Sequence, residues 1–346
     1  MSFSVPVVDI SPYVLGGSVQ EQAAVAAAMD EACCTVGFIQ VVGHGVPGRV
    51  AEGLAAAMDG FFGQPLEAKQ AWRTPPEVNR GYSPPKSESL SLSLGVESAT
   101  RMNDFFEAFN VGASQASYPH APGLPQPDYA ENTWPDVPGF RPAVEAWFGE
   151  AGRVARVLTR VFADALGLPA DFFADLTGHS LDVLRMNNYA LPEGTVRLDG
   201  ELTGMGEHTD YGIVTVLWAD QVAGLQVLDA DGGWHDVLPA DGALLVNLGD
   251  VTARLTNDRW TSTLHRVTPP VVDGTIQRRR SAAFFHDGDV EAVIAPLPSC
   301  VGRGEEPRYL PVTIGEHIAA KLRGSRAGVV NTAAEREAAR VLAARG

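Results

Sequence analysis

The stretch Gly206-Glu207-His208-Thr209-Asp210-Tyr211 decides how this chain is read, together with Leu264-His265-Arg266-Val267 and Arg279-Arg280-Ser281 further along. In an extended segment residues i and i+2 point to one face, so His208 and Asp210 can converge on one point. Alone, the pair carries little: a chain this long with eight His contains one His-x-Asp by chance about half the time. The set gives it weight. His265, 55 residues beyond Asp210, has room to arrive from a later strand. Two imidazoles and one carboxylate then make a facial ligand set that leaves coordination positions open.

The third piece adds a grip for an organic acid. On a strand, Arg279 and Ser281 face one way while Arg278 and Arg280 face the other, so the basic run is more than a solvated edge. A planar guanidinium can meet a carboxylate with two parallel hydrogen bonds, and a hydroxyl two residues on adds a third. A metal with open positions beside such a grip is the ligand set of a non-haem iron(II) oxygenase. The other histidines take no role here. His44 reads as part of a Gly-His-Gly turn, and His120, His179, His235, His286 and His317 lack a suitably spaced carboxylate. Asp250, in Asn247-Leu248-Gly249-Asp250, reads as a turn residue rather than a ligand. Trp218, Trp234 and Trp260 are expected in barrel core and rim.

Composition sets the class. The chain has 346 residues, 45% hydrophobic and 20% charged, which suits a soluble globular protein able to bury a sizeable core. Its net charge, 26 minus 42 or −16, repels phosphate backbones and anionic lipid heads, so no nucleic acid and no membrane are expected as partners. The N-terminus shows no basic region leading into an apolar run, and no apolar span reaches about 18 residues. Cys33, Cys34 and Cys300 are odd in number and lack metal-site spacing, so a reducing cytoplasm is the expected location. Nothing in the sequence sets an oligomeric state.

Texture changes along the chain. Up to about residue 180 it is mixed and mostly helical. Val5–Ile10 and Gly37–Val46 are strand-like; Val19–Thr35, Pro47–Phe62 and Pro142–Leu168 carry apolar residues at helical spacing. The third of these is expected to pack along the outside of a sheet. From 181 to 296 short β runs alternate with turns: Val183–Tyr189, Ile213–Trp218, Leu225–Leu228, Trp234–Val237, Ala243–Leu248, Ser262–Val267 and Ser281–Phe285. Such spacing predicts a sandwich or barrel, with Asp231-Gly232 the clearest hairpin turn. Lys86–Thr100 and Ala121–Pro138 read as loops, and Ala333–Ala344 as a helix in a basic tail.

With these segments in place, the chain resembles the isopenicillin N synthase-like branch of the iron(II)/2-oxoglutarate dioxygenases. The resemblance is carried by Val5–Asp9, Gly37–Pro47, Phe61-Phe62 with Pro65–Lys69, Gly81-Tyr82, the His208–Asp210 segment, Gly242–Pro269 and Arg279–Phe285. Seven segments in order are more specific than any one of them. The resemblance implies a mainly β fold with flanking helices: a double-stranded β-helix core of the jelly-roll, cupin-like type and a mixed helical N-terminal region. The regions expected are 1–120 (mixed α/β), a 181–296 core with helices from 141–168 packed on it, and a 297–346 helical tail.

The same resemblance implies that His208, Asp210 and His265 hold Fe(II), with 2-oxoglutarate and O2 as cosubstrates at the open positions. It gives Arg279 and Ser281 the far carboxylate of 2-oxoglutarate, and places Tyr189, with Asn187, near that cosubstrate. The superfamily's halogenases have a small residue in place of the carboxylate, so Asp210 argues against halogenation. The expected substrate is a small organic molecule that is hydroxylated, desaturated or cyclised. Three rivals stay open: an oxidase of this fold that does without 2-oxoglutarate, a noncatalytic ligand-binding or zinc-holding barrel, and a demethylase acting on a protein.

Overall fold

A computed structural model of the protein describes residues 3–75, 77–88, 90–94, 104–190, 204–269, 271–272, 275–327 and 331. The helix expected over Ala333–Ala344, and residues 95–100 of the expected loop, lie outside these. The strands run β1 (Val7–Asp9), β2 (Phe38–Val42), β3 (Gly81–Ser83), β4 (Glu107–Gly112), β5 (Val183–Tyr189), β6 (Met205–His208), β7 (Val214–Ala219) and β8 (Leu225–Leu228). Then come β9 (Trp234–Asp236), β10 (Leu244–Leu248), β11 (His265–Val267), β12 (Val271–Val272), β13 (Thr275–Ile276), β14 (Arg279–His286), β15 (Val293–Ile294) and β16 (Val312–Thr313). The helices are α1 (Ser11–Val14), α2 (Val19–Thr35), α3 (Gly48–Phe62), α4 (Leu66–Gln70), α5 (Phe140–Leu166), α6 (Asp250–Leu255) and α7 (Ile314–Ala327).

Eight strands form the major sheet in the order β1-β2-β10-β7-β14-β5-β4-β3, and β6-β11-β8-β9 form a minor one. Period-two alternation assigns the faces of the major sheet. Val246 and Leu248 of β10, Val216 of β7 and Ala282 and Phe284 of β14 join the large core with α2, α3 and α5. Their neighbours Leu245 and Tyr189 join a second core with Met205, Leu225 and Val267 of the minor sheet. Phe38, Tyr189, Met205, Leu225 and Val267 of this second core also line the cavity between the sheets.

Helix α5 covers the outer face of the major sheet, as its stripe predicts: Val144, Trp147, Val154, Leu158, Val161 and Phe162 are fully buried. Phe148 meets Phe284 of β14 edge-on at 5.0 Å between centroids. The helix stops at Gly167, whose left-handed φ of 63° costs glycine nothing. Ser18 caps α2 in a reciprocal box with Glu21. The Asp231-Gly232 turn joins β8 to β9, with Gly232 at φ 85°.

Several features depart from the sequence reading, among them the short strands β3, β12, β13, β15 and β16 and a 3-10 turn over Leu90–Leu94 inside the stretch read as a loop. Asp250 is the first residue of α6 rather than a turn residue, and it is 1% exposed. Strand β4 was not foreseen. All six of its residues are buried, so it offers no alternating pattern.

Candidate active site

Between the sheets, the register of the minor one brings the first pieces together. His265, which opens β11, pairs directly with His208, which closes β6, and the imidazole centroids stand 4.2 Å apart. Asp210 follows β6 in the same extended path. Its Oδ1 lies 3.9 Å from Nε2 of His208 and 3.7 Å from Nε2 of His265. One ligand atom from each of the three lies within 4.8 Å of the others, and all three residues are buried.

Each ligand is turned by a second contact. Nδ1 of His208 meets the Gly206 carbonyl at 2.7 Å, and Nδ1 of His265 meets the Thr263 carbonyl at 3.1 Å. A carbonyl accepts only, so each Nδ1 carries the proton and each Nε2 lone pair faces the common point. Burial, reinforced by the neighbouring His265, brings the His208 pKa down to about 3, which keeps the ring neutral as a metal ligand must be. Oδ2 of Asp210 accepts from the Thr215 hydroxyl at 2.5 Å and from the Asn247 amide at 2.6 Å. Thr215 and Asn247 are register partners on β7 and β10, so two adjacent strands aim their inward side chains at one oxygen. That leaves Oδ1 for the shared point. Neither residue was singled out from sequence; an amide and a hydroxyl at inward positions of otherwise apolar strands were the available signal.

A second group of residues lies on β5 and β14. Arg279 pairs with Tyr189 and Ser281 with Asn187, and all four are at most 3% exposed. The Arg279 guanidinium lies over the Tyr189 ring at 5.2 Å. The Asn187 amide reaches the Ser281 hydroxyl at 3.5 Å, while the Tyr189 hydroxyl is turned toward the Met205 sulfur at 3.8 Å. Nε and Nη1 of Arg279 are buried and have no hydrogen-bond partner among the described residues. Leaving two guanidinium donors unmet is costly, and an anionic acceptor such as a carboxylate is the kind of group that answers them. The donor sets thus fit a divalent metal at the triad and an organic acid beside it.

Further along the same cavity wall, Arg185 of β5 lies opposite Ala283. Its Nη2 is 3.0 Å from Glu88, and Asn110 of β4 is its register partner on the other side. Leu217, Leu225 and Phe38 line the apolar part of this chamber; Ile318, Leu322 and Ser325 of α7 close it. Asp287 lies at the end of the wall, with burial pushing its carboxyl well above the usual carboxylate range.

Comparison with known proteins agrees with this geometry. Residues 5–137 match the family described as non-haem dioxygenase in morphine synthesis N-terminal, and residues 182–288 match the 2OG-Fe(II) oxygenase superfamily. The chain is 33% identical to the 2-oxoglutarate-Fe(II) type oxidoreductase hxnY of Emericella nidulans, over 90% of this chain and 88% of that protein. It is 31% identical to validamycin A dioxygenase of Streptomyces hygroscopicus subsp. limoneus, over 93% and 86% of the two chains. Among solved structures, a full-length Neurospora crassa protein in complex with alpha-KG and thymine superposes with a TM-score of 0.79 at 27% identity, covering 92% of this chain and 96% of that one. The chain belongs to the isopenicillin N synthase-like family of Fe(II)/2-oxoglutarate dioxygenases. It is an oxidoreductase with Fe(II), 2-oxoglutarate and O2 as its cofactor and cosubstrates.

Proposed function

We propose that His208, Asp210 and His265 hold the iron, that Arg279 and Ser281 hold the far carboxylate of 2-oxoglutarate with Tyr189 and Asn187 shaping that pole, and that the primary substrate is a small organic molecule. The observation that carries the cosubstrate assignment is the pair of buried guanidinium donors of Arg279 that lack a partner among the described residues. An oxidase that dispenses with 2-oxoglutarate would share the same Arg-x-Ser; similarity to a 2-oxoglutarate-Fe(II) type oxidoreductase favours 2-oxoglutarate dependence over it. Bound together, the metal and cosubstrate supply oxidative decarboxylation and the oxidising power directed at the substrate. The chain supplies the rest. The Gly206 and Thr263 carbonyls fix the imidazole tautomers, Thr215 and Asn247 fix the carboxylate, and the apolar walls keep water away.

The small-molecule reading rests on the shape and lining of the chamber. It is a cleft between two sheets, apolar along Phe38, Leu217 and Leu225 and polar where Arg185, Glu88 and Asn110 gather. Such a wall suits a compact substrate with one polar end, which those three residues would orient. Relatives named validamycin A dioxygenase and clavatol oxidase support it, and with them a place in secondary metabolism. The acidic charge of −16 argues against a nucleic-acid substrate. Among the described residues no helix is long and apolar enough to cross a membrane, and Cys33, Cys34 and Cys300 are unpaired; the latter supports a reducing cytoplasm.

The test is a screen of small metabolites for substrate-triggered succinate release by the iron-loaded protein. Stoichiometric succinate and an oxidised small product are expected. Turnover confined to peptide or protein substrates would overturn the small-molecule reading.

A further inference from the structure

Lys321 is the one lysine of the core helix α7 whose charge the site described above does not use, and it is 0% exposed. Its Nζ donates to the Thr209 hydroxyl at 3.0 Å and pairs with Oδ2 of Asp250 at 2.6 Å. The Thr209 hydroxyl in turn donates to the same Asp250 oxygen at 3.1 Å. The three groups form a closed ring, buried throughout: Thr209 and Asp250 are each 1% exposed. The ammonium also lies 5.4 Å from the centroid of the Tyr211 ring. Asp250 touches the metal segment a second time, because its amide donates to the Asp210 carbonyl at 2.9 Å.

Thr209 stands between His208 and Asp210, so whatever fixes Thr209 fixes the spacing of two of the three ligands. A buried charge pair is a poor source of net stability, since desolvation offsets most of its attraction. Its attested use is to specify one arrangement over others. Here the arrangement specified is that of residues 209–211. The face of α7 that carries Lys321 also carries Ile318, Leu322 and Ser325, which line the chamber, as expected of positions three and four apart on a helix.

We propose that Lys321 is a positioning residue for the metal: from the C-terminal helix it locks Thr209 and Asp250, and through them sets the His208-to-Asp210 spacing that Fe(II) requires. This rests on the assignment of the triad as the iron site. The helix thereby joins the substrate chamber to the metal segment, with His317 one turn earlier also facing Oδ2 of Asp250 at 3.8 Å. Partners that hydrogen-bond a metal ligand directly change metal affinity by about 10- to 100-fold when removed, and a contact one step further out is expected at the lower end of that range.

The test is a double-mutant cycle read on Fe(II) affinity, measured anaerobically with the full chain, with the melting temperature of the metal-free protein followed in parallel. The variants are Lys321→Met, Thr209→Val and the two combined. Thr209→Val keeps the side-chain shape and leaves the Lys321–Asp250 pair intact, so it reports even where Lys321→Met is poorly folded. Each single change is expected to weaken Fe(II) binding about tenfold, and the combination to bind no more weakly than the worse single variant, because both remove one linkage. Unaltered Fe(II) affinity in the singles would overturn the proposal, as would losses that multiply independently or that merely follow the melting temperature. If wild type itself bound no iron, the triad assignment would fall together with it; wild-type binding with unaffected variants would remove the positioning role alone.

Discussion

At Asp210 the two carboxylate oxygens have separate tasks: Oδ2 is held by Thr215 and Asn247 while Oδ1 faces the two imidazoles. Asp210→Ala is expected to abolish iron-dependent succinate formation with the fold intact, as judged by circular dichroism. At Arg279 the buried donors predict a different phenotype. Charge-assisted bonds to one carboxylate are worth roughly 1.5–3 kcal/mol each, so Arg279→Ala should raise the 2-oxoglutarate KM by at least about tenfold. An unchanged KM would mean another cation grips the cosubstrate. The residues we propose to hold the iron and 2-oxoglutarate were legible in the sequence, because His-x-Asp and Arg-x-Ser place like-facing side chains on strands. The residues that hold them were not. Asn247 and Lys321 reach the metal segment from 37 and 112 residues away, Thr215 lies only five residues from Asp210 but stands as a lone hydroxyl on an apolar strand, and Asp250 resembles a turn residue in sequence while its charge partner lies on α7.

Among the elements, the alternation of β7, β10 and β14 does two jobs at once, with one side facing the helices and the other the chamber. The helical stripe of α5 and most short strands could be read from periodicity. Strand β4 could not, since burial on both faces erases the pattern. Phe284 belongs to the helix-facing side and is fully buried against α5; Phe284→Ala should cost about 3–5 kcal/mol in urea unfolding. A smaller loss would show that α5 collapses into the gap. Gly249 tests the join between β10 and α6. A Cβ there would collide with the Gly212 backbone, which lies two residues from Asp210 and has no side chain to swing aside. Gly249→Ala should therefore cost about 1–3 kcal/mol and weaken Fe(II) binding as well, readable by thermal melting and metal titration together.

Over the whole molecule, the fold brings a helix from near the C-terminus against the back of the metal segment, and this carries a pH consequence. His317 of α7 is fully buried by the helix contacts, and burial brings its pKa down from 6.5 to about 3. The folded state thus binds a proton less readily than the unfolded one. Its contribution is fully present above pH 6.5 and is lost as pH falls from there toward 3, by up to about 2 kcal/mol at pH 5. The His317→Gln variant should show a shallower fall in melting temperature between pH 6.5 and 5 than the wild type; parallel curves would place the acid sensitivity elsewhere. The family matches over 5–137 and 182–288 bracket the sheets that build the site.

In the proposed site one ferrous ion sits among His208, Asp210 and His265, with 2-oxoglutarate anchored on Arg279. Anaerobic titration of Fe(II) into the protein with 2-oxoglutarate present, followed by the visible charge-transfer absorption of the chelated complex, measures this directly. One iron per chain is expected, with a band that is absent in His265→Ala and appears in Arg279→Ala only at higher 2-oxoglutarate. A band of full intensity in His265→Ala, at the same iron stoichiometry, would contradict that site.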